Sequence, residues 1–275
     1  MFEIKSPFNY AGTKQNILPF LHKNFPTDKK YIVDLFCGGG SVGVSSLDCF
    51  ELVIMNDIVE PLIKFYEEIH TKDFEILKDN VLKYKIDKNN PVEYANLRTL
   101  YNQNKDNPYM FFGCCCSCTN NLMRFNKKKE FNQTFGMRSI NDSTLEKLKD
   151  YSERIYGKNV VFVNKPFYEV WNIIKQYKNV TDFFFYIDPP YIQTNAGYNV
   201  YWSKEDEEKL YNMMDEMDLM GVSFSMSNTL KHKGVLNPFY DRFKKWNIIV
   251  VPKFYNKAKK KETDKESVEI LVKNF

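Results

Sequence analysis

Two short stretches carry residue types that could do chemistry. One is Phe184-Phe-Tyr-Ile-Asp188-Pro189-Pro190-Tyr191, an apolar run that ends in a carboxylate, two prolines and a tyrosine. Two prolines cannot continue a central strand, so they hold the Asp188 carboxylate and the Pro189 carbonyl rigidly at its end. A carboxylate oxygen and a peptide carbonyl side by side can accept both hydrogens of an exocyclic amine. The Tyr191 ring can stack on the flat base that carries the amine. The other stretch is Asp34-Leu-Phe-Cys-Gly-Gly-Gly-Ser-Val-Gly43, where Gly38, Gly40 and Gly43 spell G-x-G-x-x-G. Glycines there let the backbone turn sharply and approach a ligand closely. A structural turn alone accounts for them about as well. Asp57, after the next apolar run, is placed to accept hydrogen bonds from ribose hydroxyls. A nucleoside-bearing cofactor follows, a nicotinamide dinucleotide or another.

These groups need a scaffold, and the apolar runs supply one. Tyr31–Phe36, Leu52–Met55, Val160–Val163, Phe183–Ile187, Val222–Met226, Ile248–Val251 and Val268–Val272 read as short strands. Helical spacing runs from Pro61 to Ile69 and from Ser203 to about Met220, where Ser203 can cap and Asp206 can complete the cap. Strands alternating with helices predict a mostly parallel sheet covered on both faces, which binds ligands at the carboxyl ends of its strands. The alternation breaks between Pro91 and Lys165. Residues 118–165 hold 10 Lys or Arg against 5 Asp or Glu, a balance of +5 in a chain whose net charge is only +4. A polyanion contact in that segment is one reading; a solvated face is the other.

Composition bounds the answer. A chain of 275 residues, 43 % hydrophobic and 27 % charged, suits one large or two small globular domains. No run reaches the 18 or so apolar residues of a membrane span. The start, Met-Phe-Glu-Ile-Lys-Ser-Pro, has no apolar signal core, so a cytoplasmic location without a membrane is expected. Cys114, Cys115, Cys116 and Cys118 lack a second Cys/His pair at zinc spacing and read as small buried residues, with no metal expected. His22, His70 and His232 suggest no triad, and Lys257–Lys265 reads as a solvated loop.

The order of these motifs resembles a known family, the S-adenosylmethionine-dependent DNA adenine-N6 methyltransferases of the alpha group. Within it the chain looks like the Dam branch, most of all the Dam enzymes of T-even bacteriophages. The resemblance runs through Asn9-Tyr10-Ala-Gly12-Thr-Lys14, the glycine loop, an insert, Asp188-Pro-Pro-Tyr191, then Tyr198-Asn-Val-Tyr-Trp202-Ser-Lys-Glu-Asp-Glu-Glu and Gly221-Val-Ser-Phe-Ser-Met-Ser-Asn228. It implies an α/β fold, a Rossmann-like methyltransferase sheet over residues 1–85 and 160–275. A mostly helical target-recognition insert carrying a hairpin would occupy residues 86–159. It also implies roles. Tyr10, Gly12, Lys14, Asp34, Phe36, Gly38, Gly40, Asp57, Phe167 and Asp188 would bind S-adenosylmethionine, while Asp188, Pro189 and Tyr191 would form the catalytic motif. The stretch Asn120–Arg138 resembles the recognition hairpin, with Arg124 matching the arginine that reads a guanine through two hydrogen bonds. Asn120, Leu122, Asn126, Lys127 and Thr134 would contact DNA alongside it, and Arg138 and Lys127–Lys129 would meet phosphates. Thr119 and Thr134 depart from the family's usual aromatic and proline.

The expected reaction is methyl transfer to N6 of a flipped-out adenine in double-stranded DNA, in GATC or a relative of it. RNA adenine and cytosine N4 remain alternative acceptors. Asp rather than Asn before Pro-Pro disfavours the protein-glutamine enzymes. From other classes, a nicotinamide-dependent oxidoreductase would use the literal G-x-G-x-x-G, and a DNA-binding protein could have lost catalysis. The oligomeric state is not expected from any of these residues.

Overall fold

The computed structural model describes residues 5–10, 12–193, 202–252 and 267–275. Its elements in chain order are α1 (Leu18–Asn24), β1 (Tyr31–Asp34), α2 (Ser41–Ser45), β2 (Leu52–Asn56), α3 (Glu60–Thr71), α4 (Phe74–Leu82), α5 (Pro91–Gln103) and α6 (Pro108–Ser117). Then come α7 (Asp142–Ile155), β3 (Val160–Val163), α8 (Phe167–Ile174), β4 (Phe183–Ile187) and α9 (Lys204–Leu219). The chain closes with β5 (Ser223–His232), β6 (Val235–Leu236), α10 (Tyr240–Phe243), β7 (Asn247–Val250) and β8 (Val268–Lys273).

Among the described residues the strands form one sheet in the order β3-β2-β1-β4-β5-β8-β7, with β6 pairing β5. The first five in that order pair in parallel, and β8 joins β5 and β7 antiparallel. Every residue of β4 is buried, as a continuous apolar run requires of a strand covered on both faces. Strand periodicity divides the core in two. Ile32, Phe184 and Tyr186 face a cluster with α1, α2 and α3; Val33, Phe183, Phe185 and Ile187 face one with α8 and α9.

The expected strands and the two expected helices form where their periodicities put them. Ser203 accepts from the Asp206 amide and Asp206 reciprocates, closing a capping box at the start of α9. The strand expected at Val222–Met226 runs on to His232, because antiparallel pairing with β8 satisfies its backbone well past the parallel neighbour β4. Between Pro91 and Lys165, where no clear rhythm is legible, lie three helices. Two of them start at a proline behind an asparagine cap, Asn90 and Asn107. Of these, α6 is buried on nearly every side, so it has no amphipathic stripe to betray it; its three cysteines and Cys118 just past its end fill the core beside Phe111 and Phe112. Burial holds those thiols protonated and raises the Cys118 pKa to about 12. The helix α4, not foreseen, packs against α6 and α7. Among the described residues, no helix is long and apolar enough to cross a membrane, and no group of three or more His, Cys, Asp or Glu could hold a metal. The Tyr198–Tyr201 part of the downstream motif and the Lys257–Lys265 loop lie outside the described residues.

Candidate active site

The strand order reverses between β1 and β4, which is where an open α/β sheet leaves a crevice beyond its carboxyl ends. The glycine loop leaves β1 there and Asp188 follows β4, with Leu35 N donating to Tyr186 O at 3.0 Å to fix the two chains side by side. A cavity of about 410 Å³ opens between them. Tyr10, Gly12, Lys14, Asp34, Phe36, Gly38, Asp57, Phe167, Asp188, Pro189 and Tyr191 all line it; Gly40 does not.

The glycine loop is pinned atom by atom. Gly38 has φ +45°, donates its amide to Asp57 Oδ2 at 2.9 Å, and accepts on its carbonyl from Tyr66 Oη at 2.7 Å. A Cβ there would lie 2.6 Å from the Tyr10 ring, so only glycine lets Tyr10 close over the loop. Gly40, at φ +73°, opens α2, and a Cβ on it would meet the Tyr151 hydroxyl at 2.1 Å. Its part is to let the chain turn against a buried aromatic pair, Tyr66 stacked on Tyr151 at 5.6 Å, rather than to face the cavity. Tyr66 and Tyr151 escape sequence reading because a tyrosine on a helical stripe looks like any core residue. Asp34 accepts from Gly43 N at 2.9 Å and is almost wholly buried, which pushes its pKa up to about 8. Burial likewise raises Asp57, against the pull of the backbone N–H groups of Val59, Gly38 and Ile58. Its Oδ1 accepts from Val59 N and its Oδ2 from Gly38 N, each at 2.9 Å.

Asp188 sits under a cation. Lys14 Nζ lies 2.7 Å from its Oδ2, Tyr191 Oη donates to its Oδ1 at 3.1 Å, and the Lys14 ammonium stands 5.2 Å from the Tyr191 ring centre. Burial raises the Asp188 pKa, and the Lys14 charge and hydrogen bond offset part of that rise. Four carboxylates, Asp34, Asp57, Asp188 and Asp206, therefore border one cavity, and the Lys14 ammonium is bonded to Asp188. Phe36, Phe167 and Trp202, which also line the cavity, form an aromatic box with ring centres 5.6 to 5.7 Å apart. Trp202 belongs to the cavity yet carries no role in the sequence reading. Its indole N–H is held by the buried Glu207 on α9.

The recognition stretch forms an irregular hairpin held by two isolated bridges, Cys118 with Phe135 and Phe125 with Phe131. Left-handed backbone at Asn120, Asn121 and Lys129 interrupts a regular ladder. Arg124 is exposed, its Nε and Nη2 donating across the hairpin to Asn132 at 3.1 Å each. Lys127 is exposed near the tip. Asn126 builds the turn: its Oδ1 accepts from Lys128 and Glu130 amides and its Nδ2 donates to Glu130. Thr134 shares a 2.9 Å hydroxyl contact with Thr119 at the hairpin foot. Leu122 is half-buried, and Arg138 donates to Asn121 Oδ1 at 2.7 Å. The Asn120 carbonyl accepts from Asn9 at 3.0 Å, tying the hairpin to the segment beside the cavity.

Residues 10–257 match the D12 class N6 adenine-specific DNA methyltransferase family. The type II methyltransferase M.FokI of Planomicrobium okeanokoites is 30 % identical over 99 % of this chain and 43 % of its own length. The modification methylase StsI of Streptococcus sanguinis is 27 % identical, again over 99 % of this chain and 43 % of its own. A DNA adenine methylase of Vibrio cholerae is 24 % identical over 80 % of this chain and 79 % of its own. The chain thus spans less than half the length of the two modification methylases and most of the length of the adenine methylase. With 248 of its residues inside the match, the chain belongs to the D12 class N6 adenine-specific DNA methyltransferase family.

Proposed function

We propose that this protein methylates N6 of adenine in double-stranded DNA, with S-adenosylmethionine as donor, and acts on a base turned out of the helix into the cavity between the glycine loop and Asp188. The observation that carries this reading is the placing of Asp188 and the glycine loop on one cavity at the reversal of strand order. Family membership supports the donor and the DNA. The residues present also suit the donor. Gly38 and Gly39 let Tyr10 close against the loop at the cavity wall, the Asp57 carboxylate lines the same cavity as an acceptor for ribose hydroxyls, and the Phe36–Phe167–Trp202 box suits a flat adenine. The donor supplies a methyl group already activated on a sulfonium, so no covalent enzyme intermediate is needed.

The chain's own residues then have a positioning and electrostatic task. An adenine amine is a poor nucleophile because its lone pair is delocalised into the ring. Asp188 and the Pro189 carbonyl, accepting its two hydrogens, would favour a pyramidal nitrogen, and Tyr191 would stack on the ring. Lys14 and Tyr191 both bond to Asp188, so the amine shares that carboxylate with them or displaces one. Segment 86–159 would read the sequence, with Arg124 as reader of a guanine and Arg138 and Lys127 on phosphates. GATC or a relative is the proposed target, the cytoplasm the proposed location, and the T-even Dam branch the proposed place in the family. That branch rests on the order of the motifs; the modification methylases above share more identity with the chain than the Vibrio adenine methylase does.

The test is to incubate the protein with S-adenosylmethionine and unmethylated plasmid and map modified bases by long-read sequencing. N6-methyladenine confined to one short motif is expected. Cofactor binding without DNA modification would refute the reading.

A further inference from the structure

A second, larger concavity lies outside the site described so far. Its volume is about 820 Å³, and it is enclosed by the segment around Asn9, the loop after α4, the residues following the hairpin and the first turns of α7. Four cationic side chains line it, Lys85, Lys88, Arg138 and Lys147, against the single acid Asp87. Asp87 is engaged locally, its Oδ1 accepting the Asn89 amide at 2.9 Å. Among the described residues, Lys85, Lys88 and Lys147 make no ion pair, whereas the neighbouring Lys64, Lys72 and Lys78 are each bound to a carboxylate. Unpaired like charges around a concavity focus a positive potential there and attract a polyanion.

The place of this groove says which part of the polyanion it would take. Asn9 lines the groove, and Tyr10, the next residue, lines the cofactor cavity. Asn9 also donates to the Asn120 carbonyl, and Asn121 and Arg138 extend the groove wall from the hairpin foot. The groove therefore adjoins the cofactor cavity at Asn9 and Tyr10 and the base of the hairpin at Asn121 and Arg138. A nucleotide turned out of a duplex rotates about its own backbone, so its flanking phosphates stay close to the mouth of the pocket it enters. We propose that this groove holds the DNA backbone beside the target adenine through Lys85, Lys88 and Lys147, residues outside the recognition hairpin, and that it contributes affinity without reading bases. The inference rests on the DNA-methyltransferase reading and adds a second contact surface to it.

Phosphate contacts have a signature that base contacts lack. Each one steepens the fall of log affinity with log salt by about 0.9 and weakens all sequences alike when removed. The experiment compares wild-type protein with the triple variant Lys85→Ala, Lys88→Ala, Lys147→Ala, measuring binding of a labelled duplex across a potassium chloride series. A control variant, Lys23→Ala, Lys30→Ala, Lys178→Ala, removes equal charge near the amino ends of the strands. The groove variant should show a slope shallower by about 2 to 3, with its preference for target over scrambled duplex kept and its S-adenosylmethionine affinity unchanged. The control should keep the wild-type slope. An unchanged slope in the groove variant, or an equal loss in the control, would overturn the groove. Loss of sequence preference would also overturn it, because the lysines would then be reading bases. If the triple variant does not fold, Lys88→Glu alone, on an exposed loop, should still flatten the slope by about 1. Wild-type protein that binds S-adenosylmethionine but no duplex at low salt would defeat the underlying reading instead.

Discussion

Removing one hydroxyl, in Tyr66→Phe, tests whether the glycine loop is held or merely tolerated. The Tyr66 ring is fully buried and stacked on Tyr151, and phenylalanine keeps that packing. The 2.7 Å donation to the Gly38 carbonyl is lost, together with the contact between the Tyr66 and Tyr151 hydroxyls. A buried acceptor left without its partner costs about 1–3 kcal/mol. Two outcomes divide that cost. If the loop relaxes until water reaches the carbonyl, folding stability is spared, but the donor-binding geometry must be re-formed on binding. Affinity for S-adenosylmethionine then falls by about 5- to 150-fold. If the loop stays put, held by the Gly38 amide on Asp57 and by Tyr10 above it, the cost appears in stability and the affinity is kept. Calorimetric titration of S-adenosylmethionine and urea unfolding of the free protein measure the two shares, which should sum to about 1–3 kcal/mol. A variant indistinguishable from wild type in both would refute the claim that Tyr66 fixes Gly38.

Asp188→Ala should abolish methyl transfer while the folded protein persists, checked by product mass spectrometry beside a thermal melt. Arg124→Ala should cost about 1–3 kcal/mol in binding the target duplex and relax the preference at one base position; an unchanged motif on resequencing would mean another residue reads that base. For pH, burial lifts the folded-state pKa of Asp34 to about 8, against about 3.9 for a free aspartate. Between those values the folded state keeps a proton that the unfolded chain has shed, so this group makes stability fall as pH rises through that window. Asp34→Asn should remove that part of the slope in urea midpoints measured from pH 5 to pH 8, and identical pH profiles would contradict the assignment. Gly40→Ala should destabilise the protein by about 1–3 kcal/mol or more through overpacking against Tyr151, and adding Tyr151→Phe should return part of it in a double-mutant cycle.

How far the sequence alone reaches depends on whether a residue's role is local. The strands at Tyr31, Leu52 and Phe183 are legible because a sheet covered on both faces demands unbroken apolar runs. Asp34, Asp57 and Asp188 are legible because each ends such a run, where chain direction alone brings it to the crevice. Four features are not. Tyr66 and Tyr151 act on the glycine loop from helices distant in sequence, and only the packing of α3 and α7 reveals it. Trp202 closes a box with Phe36 and Phe167, three rings drawn from three separate segments. The helix α6 has no polar face, so its period carries no signal, and only the Asn107-Pro108 cap marks it. Lys85, Lys88 and Lys147 look like solvated charge in sequence, and become a surface only when the fold curves them around one groove.

The central claim is that Asp188 and the glycine loop serve methyl transfer to an adenine amine. Its most direct test is nucleoside mass spectrometry of unmethylated duplex DNA after incubation with S-adenosylmethionine and either wild-type protein or Asp188→Ala. N6-methyladenine should be the only new nucleoside with wild type and should be absent with the variant. N4-methylcytosine with wild type, or N6-methyladenine formed equally well by Asp188→Ala, would contradict it.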